Sequence, residues 1–307
     1  MPEFDAVLLI AFGGPEQPED VLPFLENVVR GRSVPPERLA EVAGHYEAIG
    51  GRSPLNELTY RQLRALVAAL HEAGTPLPAY VGMRNWHPFL ADTIRQIHAD
   101  GVHRVIGLIM APQQSDSSFE KYQRNVSEAM AEAQVELEVA YPEPFFDHPL
   151  FIEANADRVA ECLAQLEAPE TTLVFTAHSV PLDDPHHQRY AEQVMASARA
   201  VAQQLNHVHW QVAYQSRSGR PQDPWLEPDL NDTLHALHHR GVRSVVVQPI
   251  GFVCDHVEVL YDLDHEAAAT AQELGLKLLR ARTVHDDPKF IRALVDSVRT
   301  VTQLHNG

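Results

Sequence analysis

Short runs of apolar, often β-branched residues recur along the chain: VLLIAF (7–12), AYVGM (79–83), VIGLIM (105–110), LEVAY (137–141), LVFTA (173–177), WQVAY (210–214), VVVQPI (245–250) and LLRAR (278–282). Runs this short and continuous fit strands buried on both faces. The segments between them, such as 57–73, 117–133 and 188–205, carry the periodicity of amphipathic helices. Their alternation predicts βαβ units and a doubly wound, Rossmann-like α/β fold on parallel sheets.

Laid side by side, the two halves repeat. LLIAFGGPE is similar to LVFTAHSVP, AYVGMRNWHPFLADTI to VAYQSRSG…PWLEPDLNDTL, and VIGLIMAPQQSDSSFEKY to VVVQPIGFVCDHVEVLY. The repeat predicts two similar domains, 1–115 and 116–287, facing each other across a cleft. The closing helix within 288–307 is expected to pack back on the first domain. In such sheets ligands gather beyond the carboxyl ends of the strands, so the loop residues should carry the function.

Composition narrows the classes. The chain has 307 residues, 45% of them hydrophobic and 21% charged, which excludes disorder as its main state. With 24 Lys and Arg against 42 Asp and Glu its formal charge is −18, a field that repels phosphate backbones and anionic lipids. General nucleic-acid binding and polybasic membrane attachment are excluded on that ground. Two cysteines, Cys162 and Cys254, cannot build a disulfide framework, a four-thiolate zinc site or a four-cysteine iron–sulfur cluster, and they suit a reducing cytosol. The N-terminal segment MPEFDAVLLIAFGG lacks the basic region of a signal peptide, and no apolar run is long enough for a membrane helix. A cytoplasmic protein without membrane insertion is expected.

Several positions carry chemistry. No phosphate-binding glycine motif follows a strand; Gly13-Gly14-Pro15 reads as a tight turn or as a close approach to a flat ligand. His178 falls just past a buried strand, where an imidazole can act as base or metal ligand, although a structural role is open to it as well. Glu258, Asp262 and Glu266 stand at i, i+4, i+8 of a predicted helix with no Lys or Arg between them. Like charges so placed destabilise a helix and call for a cation such as Mg²⁺, Mn²⁺ or Fe²⁺; a solvated acidic face is the competing account. Arg30 and Arg32 form a local anion-binding spot or complement a helix C-terminus. Trp86 and Trp225 occupy equivalent places in the repeat, as core packing or as the wall of a flat-ligand site.

FTAHSVP, WQVAYQSRSG with DPWLEPDL, and PIGFVCDHVEVLYDLD resemble the signature segments of the ferrochelatases, and FGGPEQPEDVLPFLENVVRGR and HYEAIGGRSPLNE resemble their N-terminal half. The resemblance runs from about Val7 to Pro288 and implies insertion of Fe²⁺ into a porphyrin. It implies that His178 is the active-site histidine and Glu258 the glutamate facing it across the cleft. Asp262 and Glu266 would lead from that pair towards solvent as an outer metal site or delivery path, with Mg²⁺ a second ion for the outer carboxylates. The porphyrin-binding set implied is Phe12, Arg30, Arg32, Ser53, Arg84, Ser216 and Trp225. The chain resembles the coproporphyrin type more than the membrane-associated protoporphyrin type, because its entrance segment 19–36 carries Arg30 and Arg32 and no long hydrophobic lip. Coproporphyrin III is therefore the expected porphyrin, with protoporphyrin IX the alternative.

Three positions depart from relatives: Phe12 in place of a Tyr, Arg84-Asn85 in place of Lys-His, and Cys254 in place of a small residue. No tightly bound cofactor and no iron–sulfur cluster are expected. Neutral His178 would take a pyrrole proton or receive the metal, with Glu258 doing the complementary work, on a ring strained by a few kcal/mol of binding energy. A monomer making transient contact with neighbouring haem-pathway enzymes is expected. Competing readings are a sirohydrochlorin chelatase and a non-catalytic haem carrier.

Overall fold

Each predicted apolar run overlaps a strand in the computed structural model, which describes residues 4–32, 34–166, 171–219 and 222–306. The first sheet has the order β2-β1-β3-β4, from Ala79–Met83, Ala6–Ala11, Arg104–Ile109 and Glu138–Ala140. The second repeats that plan as β6-β5-β7-β8, from Trp210–Gln215, Thr172–His178, Ser244–Gln248 and Lys277–Arg280. All pairings within both sheets are parallel. Eleven α-helices accompany the strands among the described residues. They are α1 (Val21–Val28), α2 (Pro36–Ala48), α3 (Leu55–Glu72), α4 (Leu90–Ala99), α5 (Lys121–Ala133), α6 (Pro149–Leu163), α7 (His187–Gln204), α8 (Leu230–His239), α9 (Val257–Tyr261), α10 (Ala268–Leu274) and α11 (Pro288–Asn306). The central strands β1, β5 and β7 are buried almost without interruption, as strands covered on both faces must be.

The repeat extends to detail. Met83 donates its amide to the Pro88 carbonyl at 2.8 Å, and Tyr214 does the same to Pro228, so each second-position strand runs into its helix through the same return. Asp229 caps α8 by accepting from the Asn231 amide at 2.7 Å. Trp86 belongs to the core, edge-on to buried Phe24 at 6.1 Å.

The chain divides into two units. The first runs to Met110, resumes over Phe119–Glu143 and takes in the chain from His285; the second holds Ala111–Ser118 and Pro144–Val284. The boundary expected at residue 115 is thus corrected, since β4 falls in the first unit. Its edge pairing to β3, Arg104↔Glu138 to Ile106↔Ala140, completes the first sheet and carries α5 with it. Helix α11 packs on α3 within the first unit.

Candidate active site

Strand β5 is buried along its apolar length and emerges at its last residue, His178, whose side chain retains 32% of its exposure. Nδ1 donates to the Ser179 carbonyl, and Nε2 lies 3.5 Å from Oε1 of Glu258. The backbone here is held firmly. Buried Tyr190 of α7 donates its hydroxyl to the His178 carbonyl at 3.0 Å, and the Ser179 amide donates to the Gln215 carbonyl at 2.8 Å.

Glu258 sits in the first turn of α9, which follows β7, the sheet neighbour of β5. His256 caps that helix: its Nδ1 accepts from the Glu258 amide at 3.2 Å and lies 4.0 Å from Oε2 of the same residue. Burial lowers the His256 pKa, in keeping with an unprotonated Nδ1, while the neighbouring carboxylates of Glu258 and Asp255 pull it the other way. Burial also disfavours the charge on His178, but the charge and hydrogen bond of Glu258 outweigh it and raise the imidazole to about 9. On Glu258, burial is outweighed in turn by His178, which lowers the carboxyl to about 2. Each side chain keeps about a third of its exposure, so water screens the attraction. The 3.5 Å approach supports its direction, towards imidazolium and carboxylate at neutral pH.

Asp262 is reached from β6 and the loop after it. Ser216, in the left-handed region at φ 61°, donates its hydroxyl to Oδ2, and Gln215 Nε2 lies 3.4 Å from the same oxygen while donating to the Glu258 carbonyl. Burial raises the Asp262 carboxyl to about 7; the Ser216 bond and His178 work against this, and the charges of Glu258 and Glu266 with it. The expected unbroken α-helix is corrected. Residues Asp262–Ala267 form a π-helical turn between α9 and α10, whose wider i→i+5 spacing displaces the straight row that α geometry would give. Glu266 ends up exposed, and among the described residues no three His, Cys, Asp or Glu side chains are placed to hold a metal ion.

A second expectation is also overturned. His178 and Glu258 do not stand on opposite walls; both belong to the second unit and touch each other. Ser216 contacts Asp262, and Trp225 is half-buried, its backbone bridged to Pro181 and its Nε1 without a partner.

The remaining positions lie in the first unit. Phe12, 36% exposed, meets Phe24 edge-on at 6.2 Å. The Arg84 guanidinium lies 5.7 Å from the Phe12 ring centre and 5.9 Å from that of Tyr122. Burial lowers the Arg84 pKa, and the charges of Arg32 and Arg124 add to the effect. Arg30 and Arg32 are exposed, bonded to Asn27 and to the Val28 carbonyl of α1. Ser53 is buried and holds the turn after β1. Its amide donates to the Pro15 carbonyl at 2.8 Å, and a side chain on Gly14 would come within 2.8 Å of its Cβ. Gly13 (φ 82°) packs on Trp86, whose Cβ would lie 3.0 Å from an added side chain, so both glycines make room for the tight turn. Asn85, buried, donates Nδ2 to the Phe12 carbonyl at 3.2 Å.

Sequence reasoning missed His256, Gln215 and Tyr190. His256 was legible as a cap two residues before Glu258; the other two depend on strand pairing and helix packing.

Comparison with known proteins identifies the family. A family model described as Ferrochelatase matches residues 4–302. A protein of Mycobacteroides abscessus named coproporphyrin III ferrochelatase is 44% identical over 98% of this chain and 89% of its own length. One of the same name from Mycolicibacterium paratuberculosis is 45% identical over 96% of this chain and 88% of its own. Among solved structures, the sirohydrochlorin chelatase SirB from Bacillus subtilis subspecies spizizenii in complex with cobalt shares the fold at TM-score 0.60 and 8% identity, covering 98% of this chain and 96% of that one. CbiX, described as the terminal enzyme of sirohaem biosynthesis in denitrifying bacteria, does so at TM-score 0.55 and 13% identity, over 96% and 98%. Those two likenesses concern the fold alone. With the family match spanning nearly every residue and such relatives above 40% identity, the chain belongs to the ferrochelatase family.

Proposed function

We propose that this chain inserts Fe²⁺ into coproporphyrin III, forming coprohaem and releasing the two pyrrole protons. The observation that carries the reading is the His178–Glu258 contact at the strand end in a chain of this family. The porphyrin is chosen on the name borne by relatives at 44–45% identity, and on exposed Arg30 and Arg32 with half-buried Arg84, suited to a ring richer in propionates.

At rest the pair holds one proton. Arriving Fe²⁺ competes with that proton, so metal binding at the imidazole and the carboxylate releases it. One imidazole and hard oxygen ligands hold the ion loosely enough for pyrrole nitrogens to take it over. As the metal leaves, His178 is again basic enough to accept one pyrrole proton. Asp262, near neutrality, accepts the other and passes it on towards exposed Glu266. Glu258 stays a carboxylate throughout. Cys162 is buried as a free thiol, which fits a reducing cytoplasm.

The test is anaerobic: Fe²⁺ with coproporphyrin III and, separately, with protoporphyrin IX, followed at the Soret band. Faster insertion into coproporphyrin III is expected, with His178→Ala inactive yet still binding porphyrin. Full activity in that variant overturns the assignment. Tight haem binding without turnover by the wild type would favour a carrier instead.

A further inference from the structure

Asp255 and Asp264 bracket the stretch of chain that holds His256, Glu258 and Asp262, and one side chain grips both. Arg280, the last residue of β8, places Nη1 at 3.3 and 3.2 Å from the two oxygens of Asp255. Its Nε and Nη2 meet the two oxygens of Asp264 at 2.9 and 2.7 Å. The guanidinium and Asp255 are nearly buried, at 13% and 11% side-chain exposure, and Thr283 adds a hydrogen bond to Asp255 at 2.9 Å. Arg280 is in register with Val247 of β7, and β7 is hydrogen-bonded to β5, which ends in His178. The grip therefore refers the helical segment to the sheet that carries its partner.

A π turn is less favourable than α-helix and persists where its surroundings hold it. On one side Ser216 and Gln215 bond Asp262; Arg280 takes Asp264, two residues further on. The nearly buried Arg280–Asp255 pair adds little net stability, and the more exposed Asp264 contact is screened by water, which leaves geometry as the main contribution of the bridge. A planar guanidinium spans two carboxylates, whereas a lysine ammonium is a single point charge.

We infer that Arg280 is a positioning residue for metal insertion: by bridging Asp255 and Asp264 it fixes the helical segment that presents Glu258 to His178 and Asp262 to Ser216. The inference rests on the reading of His178 and Glu258 as the reacting pair.

Arg280→Lys and Asp264→Asn test it beside the wild type in the same insertion assay. Both should keep their circular dichroism. Misplacement of reacting groups by an ångström lowers kcat by about 10- to 100-fold, which is the loss expected. KM for Fe²⁺ should rise while KM for the porphyrin holds. Simple loss of folded protein lowers kcat and moves neither KM, so that pattern overturns the inference, as does wild-type kcat in both variants. Should Arg280→Lys fail to fold, Asp264→Asn, at a more exposed carboxylate, decides the matter by the same criteria. Hydrogen exchange over 257–267 separates the two readings. Faster exchange in the variants upholds the positioning even if the wild type inserts no metal, in which case the assigned reaction falls; unchanged exchange overturns the positioning.

Discussion

Glu258→Gln removes the charge facing His178 and leaves the side-chain shape. At 3.5 Å, unit charges attract by about 1 kcal/mol in water and about 5 kcal/mol at an effective dielectric of about 20. Because about a third of each side chain remains exposed, the lower end applies, about 1–2 kcal/mol, or roughly one pH unit in the imidazole titration. His178, raised above its ordinary 6.5 chiefly by Glu258, should therefore titrate about one pH unit lower in the variant. The stability of the pair follows the same logic. His178 is raised above its unfolded value of 6.5, so its contribution is complete below that value and is lost as pH rises through about 9. Glu258 is depressed from 4.5, so its contribution is complete above 4.5 and is lost as pH falls through about 2. Wild type and variant should differ most between pH 4.5 and 6.5 and converge on either side. The assay is NMR of histidine Cε1 resonances, with His178 assigned through His178→Gln, beside urea unfolding across the same range. A wild-type His178 that titrates at or below 6.5, an unchanged midpoint in Glu258→Gln, or a stability gap that widens towards alkaline pH would refute the pairing.

Three further outcomes are expected. Gly251→Ala would place a Cβ 2.7 Å from the Ala177 Cβ and 2.8 Å from its Cα, backbone that cannot swing aside. Unfolding free energy should fall by about 1–3 kcal/mol, with activity lowered because the strand end before His178 must shift. Tyr190→Phe leaves the His178 carbonyl without its 3.0 Å donor and should cost about 1 kcal/mol in chemical denaturation. Asp262, raised from 3.8 to about 7, weakens the fold as pH climbs between those values, so Asp262→Asn should be the more stable protein at pH 8 but not at pH 3.5. Its pH–rate profile should also lose the inflection near neutrality.

The strands were legible because a parallel strand covered on both faces needs an apolar residue at nearly every position, and runs such as VLLIAF and LVFTA state that directly. The duplicated order of segments announced two similar sheets, and the place of His178 at a strand end was legible, while a role for it came only from the family resemblance. What stayed hidden depends on contacts between residues far apart in the chain. A linear cut near residue 115 could not show that β4 returns to pair with β3. Uniform α spacing could not show the π turn at Asp262–Ala267, whose carboxylates are held by Ser216 of one loop and Arg280 of a distant strand. That Ser53 supports the glycine turn after β1 was likewise not readable from its neighbours in the chain. Local sequence determines which segments become strands and helices, because burial on one or both faces leaves its period in the residues themselves. Only the tertiary structure decided that Glu258 meets His178 within one unit, because strand order in a sheet is set by crossovers that leave no period to read.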